Sequence, residues 1–210
     1  MITVYDMINM IQDEDLRTKV IKLLEDLHPL MVKQPASADK HHKHMGGFVA
    51  HTQEVMNIAL RIWKDMSKHG ELTCTMDDVI LCSFVHDLDK LWRYAKNNGS
   101  FSRAKKGVAG REKWYEPEFM YALDWPKIES SGVIASKCGE YGIKLTPQHI
   151  HAITFHHGGW SAMDKVPGPN NLSMLATILH AADILSAWIL SEVVEYVPQV
   201  YGEMQAPSSE

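Results

Sequence analysis

The sequence predicts an all-α fold: a single helical domain of about six to eight helices, interrupted by one basic loop or small hairpin. Three observations predict it. Apolar side chains recur at i, i+3, i+4 spacing over long stretches. Capping residues, prolines and glycines bracket those stretches. One internal segment, 95–117, loses the helical period and gains glycines. A chain of 210 residues, 45% apolar and 22% charged, suits one soluble domain with a proper core, placed at 1–205.

Residues 3–12 and 14–28 form the first helices, with Val20, Leu23, Leu24 and Leu27 on one face and Pro29 as the stop. A polar, His-rich stretch, 35–45, leads into an amphipathic helix from about Phe48 to Met66, bearing Val55, Ile58, Ala59 and Ile62 and closed by Gly70. Thr75 caps the next helix, with Asp77 and Asp78 in its first turn. That helix sends Val79, Ile80, Cys82, Phe84 and Val85 to the core and carries His86-Asp87 at its end. After the 95–117 insertion, helices are expected at about 127–141, at 147–156 behind Thr146-Pro147, and at about 172–195. The tail 206–210 reads as disordered.

A net charge of −5 argues against a generally nucleic-acid-coated surface, though a small anion needs only a local basic patch. Cys74, Cys82 and Cys138 are odd in number and lack CxxC spacing, so they read as reduced thiols of a cytoplasmic protein. The opening residues carry no signal-peptide pattern. The most apolar stretch, 172–190, is broken by His180, Asp183 and Ser186 and suits a buried helix rather than a membrane span.

The chemistry concentrates in four residues. His51 opens one predicted helix, His86 and Asp87 end another, and Asp183 sits mid-helix among apolar neighbours, where an unpaired carboxylate is costly. Two imidazoles and two carboxylates can satisfy one another around a divalent cation and leave positions open for water and substrate. Mn, Fe, Co, Ni or Zn suits such a set, and Mg is compatible. Taken singly, each residue has a plainer reading: a hydrogen-bonded core histidine, a chance dipeptide, an aspartate paired with a nearby Lys or Arg.

The ordered set His51, His86-Asp87, Asp183 resembles the HD superfamily of all-α metal-dependent phosphohydrolases over roughly residues 41–190. The run His41-His42-Lys43-His44-Met45-Gly46-Gly47-Phe48-Val49-Ala50-His51-Thr52 is similar to the HHxxxGGLLEHT signature of HD-type 3′→5′ exoribonucleases. Val85-His86-Asp87-Leu88-Asp89-Lys90-Leu91 resembles the HDIGKL motif, and His180-Ala181-Ala182-Asp183 the HxAD motif. The resemblance implies that His51, His86, Asp87 and Asp183 hold the metal and that metal-activated water hydrolyses a phosphoester. Asp87 and Lys90 would then be the catalytic side chains, Lys90 touching phosphate unless it is merely solvated. Asp89 departs from the motif glycine, so either the loop differs or an extra carboxylate faces the metal.

Several roles stay open. His156 and His157 are candidates for a second metal, as in dinuclear members, or for contacts to substrate phosphate; the further histidine those members carry is missing unless His151 replaces it. His41, His42 and His44 read as groups orienting the ligands or as a polar loop. Between 93 and 116, Arg93, Lys96, Arg103, Lys105, Lys106, Arg111 and Lys113 face only Glu112 and Glu116. With Trp114 and Tyr115 the stretch reads as a phosphate-and-base lid, Arg103, Lys105, Lys106, Arg111 and Trp114 being the substrate contacts, or as a solvated loop. The expected function is hydrolysis of a nucleotide or related small phosphate compound. The alternatives are a 3′→5′ exonuclease on single strands and a non-catalytic metal- or nucleotide-binding regulator. A homo-oligomer is compatible with the sequence.

Overall fold

The computed structural model describes residues 1–38, 40–97, 118–122, 129–158 and 172–190, with the backbone alone of 102–103 and 114–115. The described chain is mostly helical. Helix α1 (Val4–Ile8) is capped by the Thr3 side chain, which accepts from the Asp6 amide. It ends earlier than its apolar pattern suggests. Met10 and Ile11 tighten to bonds three residues back, and the amides of Gln12 and Asp13 turn to the Asp77 carboxylate instead. Helix α2 (Glu14–Met31) runs two residues past Pro29. Proline offers no amide to the Glu25 carbonyl, but the Val32 amide returns to His28, and burial of Leu27 and Met31 holds the last turn in place.

Helix α3 (Gly47–Met66) and helix α4 (Met76–Val85) form the centre. Thr75 and Asp78 close a reciprocal capping box at the start of α4. Every residue from Val79 to Val85 is buried, so this part of α4 has core on both sides. On one side Phe84, Val85 and Leu88 pack with Met7, Ile8, Leu23, Leu24 and Phe48. On the other, Val79 and Cys82 pack with Val55 and Ala59 of α3, Ala152, and Leu175, Leu179 and Ala182. A polar pair that follows directly on such a helix, His86-Asp87, is drawn into the interior with it.

Helix α5 (Lys90–Arg93) turns the chain into strand β1 (Tyr94–Lys96), which pairs antiparallel with β4 (Phe119–Tyr121). Inside that pair, β2 (Ser102–Arg103) and β3 (Trp114–Tyr115) pair with Arg103 opposite Trp114. The insertion is thus a hairpin whose ladder reaches a little beyond 95–117 at both ends. Lys105, Lys106 and Arg111 lie outside the described residues, as do the expected disordered tail and the helix beyond Leu190. Helices α6 (Ser130–Glu140), α7 (Pro147–Phe155) and α8 (Met174–Leu185) complete the description, and a π-helical turn (Ser186–Leu190) continues α8. Helix α3 packs on α4 and α8, and α7 packs on α8. All three cysteines are buried and free, and no described helix is long and apolar enough to cross a membrane.

One tie across this core is a hydrogen bond to a carboxylate. His149 Nε2 of α7 donates to Asp78 Oδ1 at 2.7 Å, and its Nδ1 accepts from the Thr146 amide, which fixes the neutral tautomer. That hydrogen bond lowers the Asp78 carboxyl from 3.8 to about 2. A depressed carboxyl stabilises the fold above its unfolded value and loses that contribution as pH falls through the folded value. Asp78→Ala should therefore cost about 1 kcal/mol at neutral pH, a normal capping loss. The gap from wild type should narrow in denaturant melts taken from about pH 4 down to about pH 2. A gap that is constant over that range would assign the loss to packing alone.

Candidate active site and metal centre

The approach to α3 depends on two glycines. Gly46 adopts φ +80°, the left-handed region, as the residue before the helix. Gly47 lies against the His42 backbone: a Cβ there would sit 1.9 Å from the His42 carbonyl oxygen. His42, itself at φ +45°, accepts from the Ala36 amide. These contacts pin the His-rich stretch over the start of α3, so that His41 and His42 lie with ring centroids 4.8 and 5.4 Å from that of His51.

His51 from α3, His86 and Asp87 from the end of α4, and Asp183 from α8 converge. Their ligand atoms all lie within 4.8 Å of one another, and all four residues are buried. His51 Nε2 is 3.1 Å from Asp183 Oδ1 and 3.3 Å from Asp87 Oδ2, while His86 Nε2 is 3.4 Å from Asp87 Oδ2. Among the described residues, Asp183 has imidazoles, not Lys or Arg, as its partners.

The far side of each ring decides what the near side can do. His86 Nδ1 is 2.8 Å from the Ser83 carbonyl, and His156 Nδ1 is 2.5 Å from the Ile153 carbonyl. A carbonyl only accepts, so both Nδ1 atoms donate and both Nε2 atoms present a lone pair. His51 Nδ1 is 2.9 Å from Ser186 Oγ, whose own proton goes to Glu54 Oε2 at 2.7 Å. His51 therefore also donates from Nδ1. The Nε2 atoms of His51 and His86 face each other at 3.3 Å, both as acceptors, beside two carboxylates. Such an inward ring of lone pairs fits a divalent transition metal, with each ligating imidazole oriented by a hydrogen bond on its other nitrogen.

Burial opposes charge at every one of these groups. It wins at His86, whose imidazole is lowered. At Asp87 burial is outweighed by Lys90 and by the surrounding imidazoles, which hold the carboxyl well below the usual range. At Asp183 it is outweighed by His51. His51 itself is raised despite burial, through Asp183 and Asp87. The pull these carboxylates exert on a proton is the pull they would exert on a metal ion.

A second group adjoins the first. Asp87, His156 and His157 also bring their ligand atoms within 4.8 Å. Asp87 faces both ways: Oδ2 toward His51 and His86, and Oδ1 toward His156 Nε2 at 3.4 Å. His156 Nε2 is buried and, among the described residues, makes no hydrogen bond. The His157 ring lies 3.8 Å from that of His156, and burial, with the charge of His156, lowers its imidazole to about 3. His151 does not join the cluster; its Nδ1 meets Ser173 Oγ at 3.2 Å.

Lys90 is buried rather than solvated, with Nζ 2.5 Å from Asp87 Oδ2. Asp89 turns elsewhere: its carboxylate pairs with Arg93, which also binds Ser130 of α6. The chain at Asp89 is ordinary right-handed helix, φ −61°, so no glycine is needed there, and the extra carboxylate serves to anchor α5. Burial raises the Asp89 carboxyl and Arg93 works against that rise. His44 is exposed and, among the described residues, its ring bonds its neighbour, the Met45 carbonyl. Arg103 and Trp114 are described by backbone alone, opposite each other in the hairpin.

Residue types alone did not reveal three supporting side chains. Glu54 and Ser186 each lie three positions after a ligand, His51 and Asp183, where a helix turns them to the same side. His180, three before Asp183, directs Nδ1 to the His156 carbonyl at 2.6 Å, and its ring lies where a Cβ on Gly158 would stand, 2.6 Å from Cε1. The i±3 spacing was the available signal.

No family model matches the chain, and no solved structure matches it. Among curated proteins it is similar to the dihydroneopterin 2′,3′-cyclic phosphate phosphodiesterase of Methanocaldococcus jannaschii, 30% identical over 158 residues. The match takes in 70% of this chain and 62% of that protein, so the chain spans less than two thirds of its relative's length. A buried His/Asp cluster able to hold a metal ion thus lies in a chain similar to a phosphodiesterase.

Proposed function

We propose that this protein is a metal-dependent phosphohydrolase of the HD type that cleaves a small phosphodiester, a 2′,3′-cyclic phosphate being the substrate class its relative suggests. The observation that carries the reading is the set of inward lone pairs of His51, His86, Asp87 and Asp183, with every Nδ1 already committed. A divalent metal held there supplies Lewis acidity, lowering the pKa of water and neutralising charge on phosphoryl oxygens. Asp87, with one oxygen toward each ligand group, would serve both, and His156 and His157 would hold a second ion with it. Lys90 holds Asp87 Oδ2 in place and leaves a positive charge beside an anionic substrate. His157 and His41, kept neutral by burial, can each donate one hydrogen bond and accept another at neutral pH. Arg103, Lys105, Lys106, Arg111 and Trp114, on the insertion that follows α5, suit contacts to phosphate and to a heterocyclic ring.

Metal analysis followed by a hydrolysis screen tests this. Protein loaded in turn with Mn, Fe, Co, Ni or Zn is offered nucleoside and dihydroneopterin 2′,3′-cyclic phosphates, nucleoside triphosphates and single-stranded oligonucleotides. Cyclic phosphates should be opened fastest. Faster shortening of oligonucleotides would replace the small-molecule reading by the exonuclease one. About two metals per chain are expected, falling to about one in His157→Ala; one metal in the native protein, unchanged by excess, would leave His157 a substrate contact.

A further inference from the structure

One buried carboxylate outside the ligand set controls more of the site than its position suggests. Glu54, on the turn of α3 after His51, is only 2% exposed. Its Oε2 meets polar groups from two different parts of the chain. Ser186 Oγ donates from 2.7 Å, at the first residue of the π-helical turn, and His42 Nε2 lies 3.3 Å away. A carboxylate only accepts, so the polarity of everything attached to it follows. Ser186 spends its proton on Glu54 and can offer only a lone pair to His51 Nδ1. His42 Nε2 faces the Glu54 carboxylate at ion-pair distance, a place for its proton that leaves a lone pair at Nδ1, the atom that meets His41 Nδ1 at 3.1 Å. His41 must then carry its proton on Nδ1.

We propose that Glu54 is a positioning residue that, through Ser186 on one arm and His42 on the other, fixes His51 and His41 as Nδ1–H tautomers. Each ring, when neutral, then has its lone pair at Nε2. On the Ser186 arm the result is a metal ligand held ready, without a tautomer change on binding. On the His42 arm it is a neutral acceptor at the edge of the site, where the ring of His41 lies 4.8 Å from that of His51. The π-helical turn belongs to this device: α8 delivers Asp183, and the change of winding begins at Ser186, which stands fully buried against His51. π-turns recur where a side chain is re-aimed at a functional site. The metal-ligand half of the inference rests on the proposed metal centre; the tautomers do not.

The test uses three variants of the full chain: Ser186→Ala, Ser186→Thr and Glu54→Gln. Long-range proton–nitrogen NMR of the metal-free proteins, at a pH where the histidines are neutral, reads each tautomer directly. Wild type and Ser186→Thr should show His51 and His41 protonated at Nδ1. Ser186→Ala should release His51 alone into a tautomer mixture. Glu54→Gln, which can donate as well as accept, should disturb both. Chelator competition with Co(II) or Zn(II) should then give roughly 10–100-fold weaker metal binding in Ser186→Ala, restored in Ser186→Thr, the usual cost of losing a ligand's outer partner. Thermal melts of the metal-free variants separate a folding defect from this effect. A His51 protonated at Nε2 in wild type, or tautomers unchanged in every variant, overturns the inference. Wild-type protein with the expected tautomers and no metal affinity would instead overturn the metal centre and leave the relay standing.

Discussion

Replacing Asp87 with asparagine is expected to remove bound metal and to reduce phosphodiester hydrolysis by at least about 100-fold, the scale of losing one preorganised charged group at a reacting centre. Asparagine keeps the volume and one carbonyl oxygen, so the packing around α4 survives. What disappears is the charge that His51, His86, His156 and Lys90 all face. Lys90 is then buried beside a neutral amide, and a buried charge stripped of its partner costs about 3–5 kcal/mol unless it loses its proton. The variant should therefore lose stability as well as metal, and adding Lys90→Met should recover stability without recovering metal. Plasma-emission metal analysis, hydrolysis rates and denaturant melts on the single and double variants make the check. Full metal occupancy in Asp87→Asn would show that the centre lies elsewhere. A double variant no more stable than the single one would show that the Lys90 pairing contributes little.

The second large effect concerns a residue with no side chain. Gly47→Ala should destabilise the protein by about 1–3 kcal/mol, the usual range for forcing an extra carbon into packed structure. Its Cβ would stand 1.9 Å from the His42 carbonyl oxygen and 2.7 Å from the carbonyl carbon, and backbone cannot rotate away as a side-chain tip can. The His-rich stretch must lift instead, breaking the Ala36–His42 closure and taking His42 off Glu54. A melting temperature several degrees lower is expected, each kcal/mol being worth about 2–4 °C in a chain of this size. Metal affinity should fall less than in Ser186→Ala, because the Ser186 bond to His51 does not pass through this loop. An unchanged melting temperature would mean that the loop moves freely and that the motif glycine serves no packing need. Gly46→Ala, strained by φ alone, offers a milder comparison.

Much of the candidate site was legible before any coordinate was known, and its chemistry explains why. Imidazoles and carboxylates are expensive to bury, so His86-Asp87 behind the apolar second half of α4 and Asp183 within apolar α8 each needed a partner, and one shared ion could serve them all. Capping signals at Thr75 and Thr146-Pro147 located α4 and α7, because orphan amides at a helix start are satisfied locally. Where a boundary was set by distant groups, local signals gave a different end. Asp77 draws the amides of Gln12 and Asp13 out of α1, and the burial of Met31 carries α2 past Pro29.

The sequence by itself determined the helical class and the order of the elements, which follow from periodicity and capping, and its resemblance to a known motif set singled out His51, His86, Asp87 and Asp183, which the fold brings together. Only the tertiary structure decided which nitrogen each histidine offers, that Lys90 is buried on Asp87, that Asp89 turns away to Arg93, and that Glu54 and Ser186 stand behind His51. The Glu54–Ser186 and His51–Ser186 contacts join positions 132 and 135 apart, while Lys90–Asp87 and Asp89–Arg93 are local pairs whose partners were chosen by how the helix ends are buried. Hydrogen-bond polarity is a property of the pair, and a linear sequence does not record which pairs the packing of α3, α4 and α8 will form.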